Sequence, residues 1–195
     1  MDIEKYNNFL QKIKDGMRLG YVPYEYRTYE LCFEATKRDG FNLFNVPTEH
    51  KSYELCLEAV KQYGFSLLYV PEKIKDYGLC LAAVRGNAFS LNNVPEKYIT
   101  YNLCLEAVRE NGRVLKYIPS KYRDYNMCLE AIKQIGSNLY FRLFGPKDEN
   151  SMCIQTLLQN IWIFNYIPSK YKDKLFKELE IKEEMIIKED MNCLV

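Results

Sequence analysis

The sequence predicts an all-α fold, an α-solenoid built from 24-residue repeats. Cysteines recur at spacings of 24, 24, 24, 24 and 25 residues, five prolines recur every 24 residues and a sixth follows after 49, and a helical pattern of apolar residues fills each interval. A period of about 20 to 50 residues is typical of repeat architectures, in which neighbouring units bury each other's apolar faces. The cysteines are Cys32, Cys56, Cys80, Cys104, Cys128 and Cys153, and the prolines are Pro23, Pro47, Pro71, Pro95, Pro119 and Pro168.

The long element of each repeat is predicted to be an amphipathic helix. Between Tyr53 and Val60, apolar residues fall at i, i+3, i+4 and i+7, which places them on one helical face. The residue before each helix carries a short side-chain oxygen, as an N-cap requires. These residues are Thr28, Ser52, Asp76, Thr100, Asp124 and Asp173. We therefore expect long helices to start near residues 2, 28, 52, 76, 100, 124, 149 and 172.

A short element is predicted between each helix and the next proline. Gly40, Gly64, Gly112 and Gly136 stand where a helix would end in a left-handed cap, and Ala88 at the same position predicts a strained or differently built cap. The six residues that follow are expected to form an α or 3₁₀ turn. Their alternating apolar residues leave a β-strand as the alternative. A further turn is expected after each proline, since proline is tolerated at a first helical position.

The domain organisation follows from the phase of the repeat. We expect a single helical-repeat domain over 1–195, with an N-terminal cap unit (1–27), repeats (28–168) and a C-terminal capping helix and tail (169–195). The phase breaks between 137 and 149, where one residue is inserted and Leu143 replaces the proline. This break is either a tolerated loop insertion or a functional irregularity that exposes aromatic side chains.

The repeat motif resembles that of a known family. The pattern L-C-L-E-A-V-K-x-x-G, a short apolar stretch and then Y-V-P-E-K is similar to the tandem repeats of the domain-of-unknown-function 4116 family. The resemblance covers about Gly16 to Lys172. It implies a helical-repeat fold and, because such proteins occur largely in intracellular bacteria and large DNA viruses, a host-facing interaction protein. It implies no catalytic residues.

Composition and motifs point away from an enzyme. The chain is 48% hydrophobic with a net charge of +1, so we expect neither a disordered chain nor a dedicated nucleic-acid binder. The cysteines show no close pairs typical of zinc sites and recur as core residues, which predicts free thiols in a reducing compartment. His50 is the single histidine, and no phosphate-binding motif occurs. We expect no cofactor, no metal, no membrane partner and a cytoplasmic location, which for a pathogen protein would be the host cytosol.

Two surface columns remain as candidate binding sites. A basic column on the helices comprises Lys37, Lys61, Arg85, Arg109 and Lys133, but glutamates interleave with it, which makes nucleic-acid binding the weaker alternative. The turns after the prolines and the break carry tyrosine, arginine and other aromatic residues typical of binding hot spots. The same tyrosines could instead only hold the repeats together. The candidate partner-binding residues are Tyr26, His50, Tyr98, Tyr122, Arg123, Tyr140, Phe141, Arg142 and Phe144.

The predicted function is therefore a non-enzymatic protein-binding module. One alternative is a virus- or bacterium-encoded inhibitor of a host defence or signalling protein. A second is nucleic-acid binding through the basic column, and self-association is a further possibility that the sequence leaves open.

Overall fold

The structure is a computed structural model that describes the backbone of residues 2–143 and 161–178. Side chains are described for these residues except 136–143, 161, 162, 164 and 178. Its helices are α1 (Ile3–Lys14), α2 (Tyr29–Arg38), α3 (Tyr53–Gln62), α4 (Tyr77–Gly86), α5 (Tyr101–Glu110), α6 (Tyr125–Leu143) and α7 (Ser169–Glu178). Over the described ranges the chain forms no β-strand, so the all-α prediction is confirmed and the strand alternative is wrong.

Short 3₁₀ helices connect the long helices. Six-residue segments follow the helices: Gly40–Asn45, Gly64–Tyr69, Ala88–Asn93, Gly112–Tyr117 and Ile161–Tyr166. Three-residue turns follow the prolines: Tyr24–Tyr26, Thr48–His50, Glu72–Ile74, Glu96–Tyr98 and Ser120–Tyr122. A further short turn, Leu19–Tyr21, precedes Pro23. The predicted 3₁₀ connection and the predicted post-proline turn are both confirmed.

The contacts divide the chain into two compact units, residues 1–103 and 104–195, with the boundary inside α5. In the first unit, α2 packs on α3 and α3 on α4, and the segments Gly40–Asn45 and Gly64–Tyr69 each pack on their own helix and on the following helix. In the second unit, α6 packs on the segment Gly112–Tyr117, and that segment packs on Ile161–Tyr166. Repeated units that pack in sequence order make the fold class an α-solenoid.

Each repeat buries the same positions. In α3 these are Leu55, Cys56, Ala59 and Val60, all 0% exposed, and Leu67 joins them from the 3₁₀ segment. Burying an aliphatic side chain of this size contributes roughly 1.5–3 kcal/mol. The predicted role of the repeated cysteine as a small core residue is confirmed for Cys32, Cys56, Cys80, Cys104 and Cys128, each fully buried as a free thiol.

The predicted N-caps are confirmed for α2 to α6. In each case the side-chain oxygen accepts the backbone N–H three residues later, as Ser52 does from Leu55 at 3.2 Å. The other acceptors are Thr28, Asp76, Thr100 and Asp124. Tyrosines at the first helical position extend this network, since the hydroxyl of Tyr53 donates to Asp76 of the next cap at 3.4 Å. The sixth predicted cap, Asp173, is wrong because α7 already begins at Ser169, directly after the proline.

The repeated glycines have a different role from the one predicted. Among the described glycines only Gly16 has a positive φ, of 116°. Gly40, Gly64 and Gly112 instead begin the 3₁₀ segments, where a Cβ atom would collide with the backbone carbonyl of an alanine in the following helix. Glycine therefore stands at these three positions because the following helix packs too closely to leave room for a Cβ atom. Ala88 begins its segment in the same way, with Asn87 as its cap, so the expectation of a differently built cap is also wrong.

The helix α6 continues through Gly136, where the sequence predicted its end. In three other repeats an Asp or Asn stands directly before the residue equivalent to Gly136. Its side chain accepts the backbone N–H of the residue two positions later, as Asp39 does from Phe41 at 3.0 Å. Ile135 offers no such acceptor and is buried. Tyr63 also lacks such an acceptor, and α3 still ends at Gln62, so the missing acceptor does not by itself explain why α6 extends to Leu143.

Another part of the chain takes the place of the missing 3₁₀ segment. In two earlier repeats a basic residue before the helix donates to a carbonyl 18 residues later, as Arg27 does to Asn45 at 3.0 Å and Lys51 to Tyr69 at 3.0 Å. Arg123 donates instead to Tyr166, 43 residues later, at 3.5 Å. The segment Ile161–Tyr166 thus occupies the position that the 24-residue phase assigns to 136–141. The predicted helix near 149 lies outside the described residues.

Candidate functional site

The candidate tyrosines of the post-proline turns are half-buried between repeats. The ring of Tyr26 packs against Phe9, with centroids 5.3 Å apart. The hydroxyl of Tyr98 donates to the carbonyl of Lys75 in the preceding repeat at 2.9 Å. His50 and Tyr122 occupy the same position of their turns and are also half-buried. These contacts give Tyr26 and Tyr98 a structural role and leave part of each side chain accessible.

Arg123 binds backbone carbonyls. Its guanidinium donates to Ile118 at 2.7 Å, to Lys116 at 3.2 Å and to Tyr166 at 3.5 Å. Because these acceptors lie in both neighbouring 3₁₀ segments, Arg123 fixes one segment against the other. Of the candidates at the break, Tyr140, Phe141 and Arg142 lie in α6 but their side chains are outside the described part, and Phe144 lies outside the described residues altogether.

An exposed apolar surface, not predicted from the sequence, lies on the six-residue segments of the first unit. At the fifth position of these segments, Phe44 and Leu68 are 56% and 58% exposed. The ring of Phe44 lies 5.0 Å from that of Tyr69 in the next repeat. We call Phe44, Leu68 and Tyr69 the apolar edge.

The fold does not require apolar residues at the fifth position. Later repeats place Asn92, Lys116 and Asn165 there, all exposed and all within 3₁₀ segments of the same length. An exposed aromatic or leucine side chain at this position is therefore not explained by packing within the repeat. Comparing equivalent positions repeat by repeat would have identified this surface from the sequence.

The basic column on the helices is partly neutralised. Arg109 lies 3.5 Å from Glu106 of its own helix and 3.6 Å from Glu130 of the next helix. Such pairs on exposed faces contribute little to stability, but they lower the net charge that the column presents.

A shallow groove of about 360 Å³ lies along the outer face of α4. It exists because Gly78 and Ala82 stand where α3 has Glu54 and Glu58. Its lining residues are Lys61, Gly78, Leu81, Ala82, Arg85 and Gly86. The two cations and the missing glutamates make this part of the helical face less acidic than its neighbour, a feature that the sequence analysis did not identify.

The buried cysteine thiols have raised pKa values. Desolvation raises the pKa of the Cys56, Cys80 and Cys104 thiols to about 11 and that of Cys32 and Cys128 to about 12. They are therefore protonated at neutral pH, whereas nucleophilic and metal-binding cysteines act as thiolates. Within the described part of the chain, no three His, Cys, Asp or Glu side chains are grouped as a metal ion would need.

None of the helices that the structure describes is both long and apolar enough to cross a bilayer.

Repeated helical units with surface positions that vary from repeat to repeat define a helical-repeat protein. The comparison with known families agrees: the domain of unknown function DUF4116 matches twice in tandem, over residues 52–99 and 101–142. These segments are tandem repeats of that family, and the first match spans two 24-residue units and starts at the N-cap Ser52. No curated protein and no solved structure matches the chain.

Proposed function

We propose that this chain is a non-enzymatic protein-binding module and that the apolar edge is a contact surface for its partner. The observation that supports the proposal is the exposure of Phe44 and Leu68 at a position that other repeats fill with polar residues. Isolated exposed apolar residues are common on protein surfaces, but adjacent ones that the fold does not need are typical of interaction sites.

The half-buried tyrosines of the turns fit a supporting role. Tyr24, at the start of the first post-proline turn, is 60% exposed and donates to Glu49 of the next turn at 3.0 Å. Such contacts hold successive turns in a fixed arrangement. A surface that is ordered before binding loses less conformational entropy when its partner arrives.

The family resemblance supports a narrower version of the proposal. In it the chain acts in the cytosol of a host cell, where it binds and inhibits a defence or signalling protein. The mutational test below does not depend on which protein that is. Nucleic-acid binding through the basic column has less support because Arg109 is paired with two glutamates.

The double replacement of Phe44 and Leu68 by Asn is expected to abolish partner capture while the fold is retained. Asn occupies the same position in the fourth repeat as Asn92, so the replacement copies a natural solution of the same repeat. Partner capture is measured by quantitative affinity purification from the cells in which the protein is made, and folding by circular dichroism and thermal unfolding.

The matched control replaces Asn92 by Asp, a similar change at the equivalent position outside the apolar edge. It is expected to leave both capture and folding unchanged. Retention of the same partners by the folded Phe44→Asn/Leu68→Asn variant would reject the apolar edge as the contact surface.

A further inference from the structure

The charge of the post-proline turns changes along the sequence. Each of the first four turns contains a glutamate: Glu25, Glu49, Glu72 and Glu96. The fifth turn places Ser120 at the position of Glu72 and Glu96, and Ser169 takes the same place after Pro168, where α7 begins. No Asp or Glu occurs between Glu110 and Asp124 or between Glu149 and Asp173. The 3₁₀ segments of the second unit are therefore without acidic residues.

The segment Gly112–Tyr117 carries two cations, whereas the six-residue segments of the first unit carry none, and a lysine lies two residues after each of Pro119 and Pro168. Arg113, Lys116, Lys121 and Lys170 are all exposed. Arg113 takes the position that Phe41, Phe65 and Phe89 hold in earlier repeats, and Lys116 takes that of Phe44 and Leu68. We call Arg113, Lys116, Lys121 and Lys170 the basic edge.

The segment that carries Arg113 and Lys116 is joined to the segment that precedes Lys170 in the chain. The segment Gly112–Tyr117 packs on Ile161–Tyr166. Arg123 joins them through its hydrogen bonds to Lys116 and Tyr166, and its guanidinium lies 5.7 Å from the centre of the Tyr166 ring. Lys121 and Lys170 each lie two residues after the proline that follows these segments, Lys121 in a 3₁₀ turn and Lys170 in the first turn of α7.

Tyrosine rings hold the lysines of the basic edge in place. The ammonium groups of Lys116, Lys121 and Lys170 lie 4.6, 4.9 and 4.7 Å from the ring centres of the tyrosines that follow them. A cation over an aromatic face is attracted by the ring quadrupole. A hydrogen bond with Tyr117 also raises the pKa of Lys116. The basic edge thus presents several positive charges at defined positions.

We infer that the basic edge binds an acidic polypeptide segment, rich in Asp and Glu, of a partner protein. Ordered ammonium groups are complementary to carboxylates, and Lys116 and Lys121 have no acid on their own 3₁₀ elements. Single-stranded nucleic acid fits less well, because such ligands stack bases on open aromatic faces and here lysines lie over those faces. The inference shares only the class of partner, a protein, with the proposed function.

The test measures binding of a fluorescein-labelled peptide of glutamate and glycine by fluorescence anisotropy. The full chain is expected to bind it at low salt, with an affinity that falls steeply between about 50 and about 300 mM salt as screening increases. The variant Lys116→Glu/Lys121→Glu/Lys170→Glu is expected to bind at least about tenfold more weakly, since three attractions become repulsions.

The matched control is Lys12→Glu/Lys37→Glu/Lys133→Glu, which changes the net charge equally at three exposed lysines of the long helices. It is expected to bind within about twofold of the unmodified chain. Equal weakening in both variants would overturn the inference, because bulk charge would then explain binding. An absence of peptide binding at low salt would also overturn it. So would a labelled oligonucleotide that binds the full chain more tightly than the peptide does and no longer binds the variant Lys116→Glu/Lys121→Glu/Lys170→Glu.

The variant Phe44→Asn/Leu68→Asn separates this inference from the proposed function. It is expected to bind the acidic peptide normally. If it retains its cellular partners while the charge-reversed variant loses the peptide, the apolar edge is rejected and the basic edge stands.

Discussion

Replacing Gly64 by alanine is expected to lower the free energy of unfolding by about 3 kcal/mol. The added Cβ atom would collide with the backbone carbonyl of Ala83 and come within 2.7 Å of the Ser90 hydroxyl and 2.8 Å of the Asn87 nitrogen. Two of these three atoms belong to the backbone, so the following helix would have to move. Urea unfolding followed by circular dichroism measures the change.

Gly20→Ala is the matched control for this prediction. There the added Cβ atom would meet only the side chain of Asn45, at 3.3 Å, which can rotate away. We expect a change within about 0.5 kcal/mol. Equal stabilities of the two variants would contradict the conclusion that Gly64 is required for close packing of neighbouring repeats.

Replacing Arg123 by alanine is expected to cost about 2–3 kcal/mol, because one guanidinium donates to three backbone carbonyls. Arg123→Lys should recover only part of this loss, since an ammonium group cannot reproduce the fork of donors. The free energy of unfolding in urea measures both variants.

Arg113→Ala is the control for Arg123. Arg113 is exposed on the same 3₁₀ segment, and its removal is expected to change stability by less than about 0.5 kcal/mol. If Arg123→Ala left the free energy of unfolding unchanged, the segment Ile161–Tyr166 would be held against its neighbour without this residue. Any loss of partner binding by Arg123→Ala has to be corrected for its loss of stability.

Much of the fold was predictable because the repeat signals are local. The N-cap oxygens and the helical spacing between Tyr53 and Val60 act within one turn of a helix, and the structure confirms both. The role of Gly64 was not predictable, because it depends on the distance to Ala83 in the following helix. A helix-ending glycine and a close-packed glycine give the same sequence pattern.

The break and the surface were harder to predict for a different reason. The glycine at 136 fits the repeat pattern, yet α6 continues through it to Leu143, whereas α3 ends at Gln62 before the equivalent Gly64. The sequence left open whether the candidate tyrosines bind a partner or only hold the repeats together, and Tyr98 makes a contact between repeats. The apolar edge depends on exposure, which a list of apolar residues does not show.

The central claim is that residues shared by all repeats hold the stack, whereas positions that vary between repeats contact the partner. Photo-crosslinking in the cells that make the protein tests it most directly, with p-benzoylphenylalanine placed at position 44 or at the equivalent position 92. We predict a discrete crosslinked protein from position 44, abolished by Leu68→Asn, and none from position 92. Equal crosslinking from both positions, or none from position 44 in a folded protein, would contradict the account.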